Sequence, residues 1–82
     1  KNNYSVQALT PIAEFNDYFK TNLDDSEFDT IGGLVIKHFG RLPNRGEEVV
    51  IENIEFTVLK ANDRRIRLLG VRYKKKIEPE VL

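Results

Sequence analysis

The chain has 82 residues, 40% of them apolar and 32% charged, with a formal net charge of zero. That length carries one domain with a modest core, which excludes a deep enclosed substrate pocket, and the composition argues against disorder. With no Cys and one histidine, His38, disulfides, thiolate chemistry and a Cys-based zinc site are excluded.

Tyr4 to Leu9 alternates, with Tyr4, Val6 and Ala8 against Ser5, Gln7 and Leu9, and reads as a strand. Thr10 is the expected helix N-cap, with Pro11 as the first helical residue. Ile12, Phe15, Phe19 and Leu23 form one apolar stripe. It predicts an amphipathic helix over 11–21, with Glu14 in the first turn favouring the dipole. Positions 22–27 are polar and acidic and read as a loop. A second helix starts at Asp29 or Thr30, either of which can cap it. Ile31, Leu34, Val35, His38 and Phe39 fall on its apolar face, and Gly40 follows as a left-handed C-cap. Gly32 and Gly33 each cost about 1 kcal/mol in the first turn. Two reasons would account for them: close approach of another backbone, or bare amides that bind an anion.

Pro43, Asn44 and Gly46 mark a connecting loop over 41–47. A β meander follows. Glu48 to Glu52 is a strand, Glu52-Asn53 its turn, and Ile54, Phe56 and Val58 alternate through the next strand. Positions 61–64 turn the chain again. In the last strand the inward phase passes from Ile66 and Leu68 to Val71 and Tyr73, so a bulge is expected at Gly70. The order β-α-α-β-β-β predicts an α+β two-layer sandwich, two helices on a mostly antiparallel four-stranded sheet. Residues 1–82 form a single domain with its core over 4–73, and 74–82, charged and containing Pro79, read as a flexible tail.

Asp25-Ser26-Glu27-Phe28-Asp29-Thr30-Ile31-Gly32-Gly33-Leu34-Val35 resembles the signature of the CorC/HlyC transporter-associated domain. So do Phe39-Gly40-Arg41-Leu42-Pro43, Gly46-Glu47, Ile54-Glu55-Phe56 and Arg64-Arg65-Ile66. Val6 to Ile12 and Phe15-Asn16 resemble the family's approach to its first helix, so the likeness runs from about Tyr4 to Tyr73. One departure is Glu52-Asn53, where such domains often carry Asp-Gly. The resemblance implies a domain of CorC-type magnesium and cobalt efflux proteins and of hemolysin-like proteins, following a pair of CBS domains. It implies a place on the cytoplasmic side, at the inner face of the cell membrane, and a modulating role in ion transport. It supplies no catalytic or ligand residues. The fold it implies is similar to part of a flavin-binding fold, without implying bound flavin.

Candidate chemistry is sparse. His38, on the apolar stripe, reads as a packed residue with one satisfied nitrogen. Ser26 has no partner for a triad except His38. Asp24, Asp25, Glu27 and Asp29 could offer oxygens to a hard cation, but the spacing is not that of an EF-hand, and acids before a helix also favour its N-terminus. Cofactors are therefore read as none. The charges are segregated, with an acidic first third and a basic last third that carries Lys60, Arg64, Arg65, Arg67 and Arg72. Glu14 and Asp17, and Arg67 and Arg72, are the candidate contact residues. The basic strand reads as edge protection or docking to the parent protein, and nucleic acid is not an expected partner. The expected function is a non-catalytic regulatory domain contacting the CBS pair and the membrane domain. The alternative is a small-ligand module that holds a nucleotide or flavin phosphate with Gly32, Gly33, Arg64 and Arg65. A homodimer through a strand edge is a third reading. The sequence opens on Lys1 and contains no Met, so it is expected to be a piece of a longer protein.

Overall fold

Period-two alternation in four segments and a 3.6-residue stripe in two others build two layers that bury each other's apolar side. The computed structural model describes residues 3–73; the expected tail over 74–82 lies outside them. The elements are β1 (Asn3–Gln7), α1 (Ile12–Phe19), α2 (Ile31–Phe39), β2 (Glu48–Ile51), β3 (Ile54–Ala61) and β4 (Ile66–Tyr73). The sheet order is β1-β4-β3-β2, antiparallel throughout. Ile12, Phe15 and Phe19 of α1 and Ile31, Leu34 and Val35 of α2 pack on Phe56, Val58, Leu69 and Val71. Phe15, Phe56 and Leu69 are at most 1% exposed.

Several local expectations change. Pro11, not Thr10, is the N-cap of α1, and it makes no side-chain cap. The reason is an antiparallel bridge between Pro11 and Thr30. The Ile12 amide donates to the Asp29 carbonyl and the Ile31 amide to the Thr10 carbonyl. This keeps Pro11 extended, at ψ 141°, so the helix starts one residue later. In α2 the Thr30 hydroxyl accepts from the Gly33 amide, and Gly40 closes the helix at φ 75°. Glu52 and Asn53, at φ 50° and 70°, give the doubly left-handed hairpin turn. The bulge is not at Gly70, which pairs regularly with Ser5 and Thr57. The register instead shifts in β3 between Val58 and Ala61, and the Leu59 side chain covers Gly70.

The family-like stretches are mostly clamps. Asn16 Nδ2 donates to the Leu23 carbonyl, while Asn16 Oδ1 accepts from the Leu23 amide and the Thr21 hydroxyl. One side chain thus closes the loop after α1. Arg41 meets Glu47 with both guanidinium nitrogens, and the Asn44 amide donates to the same carboxylate at 2.7 Å. The Arg41 guanidinium first, and the Asn44 amide second, hold the Glu47 carboxyl down at about 2. Gly46 and Glu47 then exchange backbone hydrogen bonds with Val58, which fixes the start of β2.

Candidate interaction surfaces

β1 is an edge strand, and α1 runs beside it. Between them lies a groove of about 420 Å³, lined by Tyr4, Gln7, Glu14, Asp17 and Tyr18 among others. The packing explains why aromatics stay exposed here. Phe19 is the buried hub, with Tyr4 5.0 Å, Tyr18 4.9 Å and Tyr73 6.2 Å from it, each roughly edge-on. The rings crowd one core residue and leave their outer edges in water: Tyr18 is 70% and Tyr4 39% exposed. Tyr73 also donates its hydroxyl to the Phe19 carbonyl, tying the end of α1 to β4. Glu14 and Asp17, exposed on α1, put negative charge along the groove. Exposed tyrosines around an apolar floor, rimmed by charge, have the composition of a protein contact. The carboxylates were legible in sequence; Tyr4 and Tyr18 were not singled out. Tyr18 lies off the Ile12–Phe15–Phe19 stripe, which was the available signal.

The other candidates separate. The Gly32 amide donates to the Ala8 carbonyl at 2.8 Å and the Gly33 amide to the Thr30 hydroxyl at 3.2 Å. A Cβ on Gly32 would lie 2.9 Å from Ala8 Cβ. Close backbone approach thus accounts for Gly32, and an anion here would have to displace existing bonds. Arg64 and Arg65 lie in the β3–β4 turn, their amides bonded to Asn62 Oδ1. β4 is an interior strand, so its cations do not protect an edge. Arg72 pairs with Glu55 on the sheet face away from the helices. Arg67 stands unpaired among the described residues, beside Lys60 and Arg65.

His38 is exposed rather than packed. The buried face of α2 is centred on Ile31, Leu34 and Val35, which leaves His38 at its margin, and the His38 Nδ1 donates to the Leu34 carbonyl one turn back, at 3.1 Å. The four acids do not converge. The Asp24 carboxylate accepts from the Ser26 amide, which lowers its pKa first, and the Ser26 side chain adds to this. Glu27 pairs with Lys37. Among the described residues no three His, Asp or Glu side chains are placed to hold a metal ion, and no helix is long and apolar enough to cross a membrane.

Comparison with known proteins agrees with this picture. A family model described as "Transporter associated domain" matches residues 1–75. The magnesium and cobalt efflux protein CorC of Pasteurella multocida is 53% identical over 71 residues, covering 87% of this chain and 24% of that protein. The Escherichia coli protein of the same name is 47% identical over 66 residues, 80% of this chain and 23% of its own length. This chain therefore spans about a quarter of the length of such relatives. Among solved structures, a CorC-associated region from Neisseria meningitidis superposes with a TM-score of 0.86 at 41% identity, covering 89% of this chain and 90% of that one. A hemolysin domain from Enterococcus faecalis gives 0.80 at 34% identity, with 90% of each chain covered. With the β-α-α-β-β-β order, its clamps and these likenesses in agreement, the chain belongs to the CorC/HlyC family of transporter-associated domains.

Proposed function

We propose that this domain is a non-catalytic regulatory module of a CorC-type magnesium and cobalt efflux protein. It docks on the neighbouring CBS pair and membrane domain at the cytoplasmic face and modulates ion transport through those contacts. One observation carries the reading: the groove between β1 and α1 joins exposed Tyr4 and Tyr18, the carboxylates Glu14 and Asp17, and an edge strand. A regulatory contact of this kind needs a polar, moderate-sized surface that can release. A partner strand could add to β1 while its side chains meet the tyrosines.

The test is an NMR titration of the domain with a purified CBS pair. Shifts should centre on Tyr4, Ser5, Glu14 and Tyr18, and Tyr18→Ala should weaken binding at least tenfold, since exposed aromatics anchor such contacts. Saturable shifts at Gly32, Gly33, Arg64 and Arg65 with ATP or flavin, and none with the CBS pair, would replace this reading with the small-ligand one.

A further inference from the structure

Antiparallel pairing gathers one end of the sheet from distant sequence: the C-terminal ends of β1 and β3 and the N-terminal ends of β2 and β4. Arg45, Lys60, Arg64, Arg65 and Arg67 stand at that end, all exposed. Two adjoining depressions join all of them but Arg64. One, of about 280 Å³, is lined by Lys60, Arg65, Arg67, Leu9 and Leu68 among others. The other, of about 430 Å³, has Arg45, Leu59, Lys60, Ala61 and Arg67. Lys60 and Arg67 border both, and no carboxylate lines either.

Lys37, Arg41 and Arg72 are in ion pairs; among the described residues none of these five is. The acids at this end are Asp63 in the turn, Glu48 at the start of β2, Glu47, which is committed to Arg41, and Glu14 and Asp29 at the starts of the two helices; none of them lines either depression. Both helices also begin here, because the Pro11–Thr30 bridge joins their N-termini beside Ala8. Their positive dipole ends add to the cations, offset in part by Glu14 in the first turn of α1 and Asp29 just before α2. Asp24, Glu27 and Glu52 gather beside the C-terminal half of α2, next to Ile51 at the far end of β2. A strand of eight residues, such as β3, spans about 26 Å at ~3.3 Å per residue. The screening length in physiological salt is about 8 Å. An anion at the basic end is therefore shielded from the distant acids, and the chain's zero net charge does not cancel the local field.

We propose that this end of the domain docks on an anionic lipid surface, with Arg45, Lys60, Arg65 and Arg67 at headgroup phosphates and Leu9 entering the interface. Leu9 is 65% exposed, an apolar side chain beside Lys60, Arg65 and Arg67. The cations come from three segments around strand ends, not from a line along one groove, which suits a broad charged plane better than an extended acidic peptide. The inference does not depend on the β1–α1 groove.

The experiment is sedimentation of the chain with phosphatidylcholine vesicles, with and without phosphatidylglycerol. Binding should require the anionic lipid and fall as salt rises. Each cation near such a surface changes partitioning about fivefold, so Arg65→Ser/Arg67→Ser should lose about 25-fold. Lys20→Ser/Lys37→Ser removes the same charge elsewhere and should stay within about twofold of the parent chain. Circular dichroism of each variant confirms that the fold is kept. Equal binding to neutral vesicles, no binding to anionic ones, or an equal loss in the control pair would overturn the proposal. A response of these residues to an acidic peptide, with none to vesicles, would also overturn it in favour of a protein partner.

Discussion

Gly32→Ala would place a methyl group 2.9 Å from Ala8 Cβ and 3.0 Å from the Ala8 carbonyl oxygen. Neither neighbour is the free end of a flexible side chain, so β1 and α2 would have to separate. In a helix Ala is favoured over Gly by about 1 kcal/mol. Against that stand overpacking, at about 1–3 kcal/mol, and stretching of the 2.8 Å Gly32–Ala8 hydrogen bond, at about 1 kcal/mol. The balance is a loss of about 1–3 kcal/mol. At about 4–8 °C per kcal/mol for a domain of this size, the melting temperature falls by roughly 4–24 °C. Gly33→Ala is the matched control. Its new Cβ would meet the edge of the Phe28 ring at 3.2 Å and the Thr30 hydroxyl at 3.4 Å. Phe28 is half-buried and can rotate away, so this variant should lie within about 1 kcal/mol of the parent. Thermal and urea unfolding followed by circular dichroism measures both. A Gly32→Ala protein as stable as the parent, or a larger loss for Gly33→Ala, would refute the packing argument. Ala8→Gly in the Gly32→Ala background should restore part of the loss, because it removes the Cβ contact and leaves the carbonyl contact.

Glu47 links stability to acid. Its carboxyl titrates at about 2 in the fold against an ordinary 4.5. The lowered value means its contribution is present above pH 4.5 and is lost as pH falls toward 2. The gap in urea midpoint between the parent and Glu47→Gln should therefore be open at pH 6 and closed near pH 2; a gap independent of pH contradicts the Arg41–Glu47 clamp. Asn16→Ala leaves the Leu23 amide and carbonyl without their side-chain partner and should cost about 1–3 kcal/mol in urea unfolding. Asn16→Asp, which keeps the acceptor, should fall between the two. Tyr18→Ala removes a ring that is 70% exposed, so unfolding should change by less than about 0.5 kcal/mol. A large loss of stability would assign Tyr18 to the core instead of the groove.

Most of the fold is legible in sequence because its signals are local. The alternation in 54–58 and the i, i+3, i+4 stripe of α2 state which side faces the core, and Thr30 and Gly40 mark where α2 starts and stops. Sheet order is not local. β4 follows β3 in the chain, but it also receives β1 from the other end of the sequence, so cations that suited an edge sit on an interior strand. The start of α1 was displaced by a tertiary contact, the Pro11–Thr30 bridge. His38 satisfies the helical period but lies at the margin of the buried face. The acidic half of the groove could be read from Glu14 and Asp17. Tyr18 carries one signal, its place off the Ile12–Phe15–Phe19 stripe; Tyr4 carries none, because its exposure follows from how tightly Phe19 is surrounded.

The pairing of Asn3 with Arg72 sets the first and last described strands side by side, next to Tyr4. Any neighbour joined through either strand is tethered beside the groove. A short flexible tether gives an effective concentration on the order of millimolar. A contact with a dissociation constant near 1 mM would then be about half occupied within one molecule. Small changes in affinity around that point alter occupancy most, so a docking contact too weak to hold two separate proteins together could still work as a reversible latch.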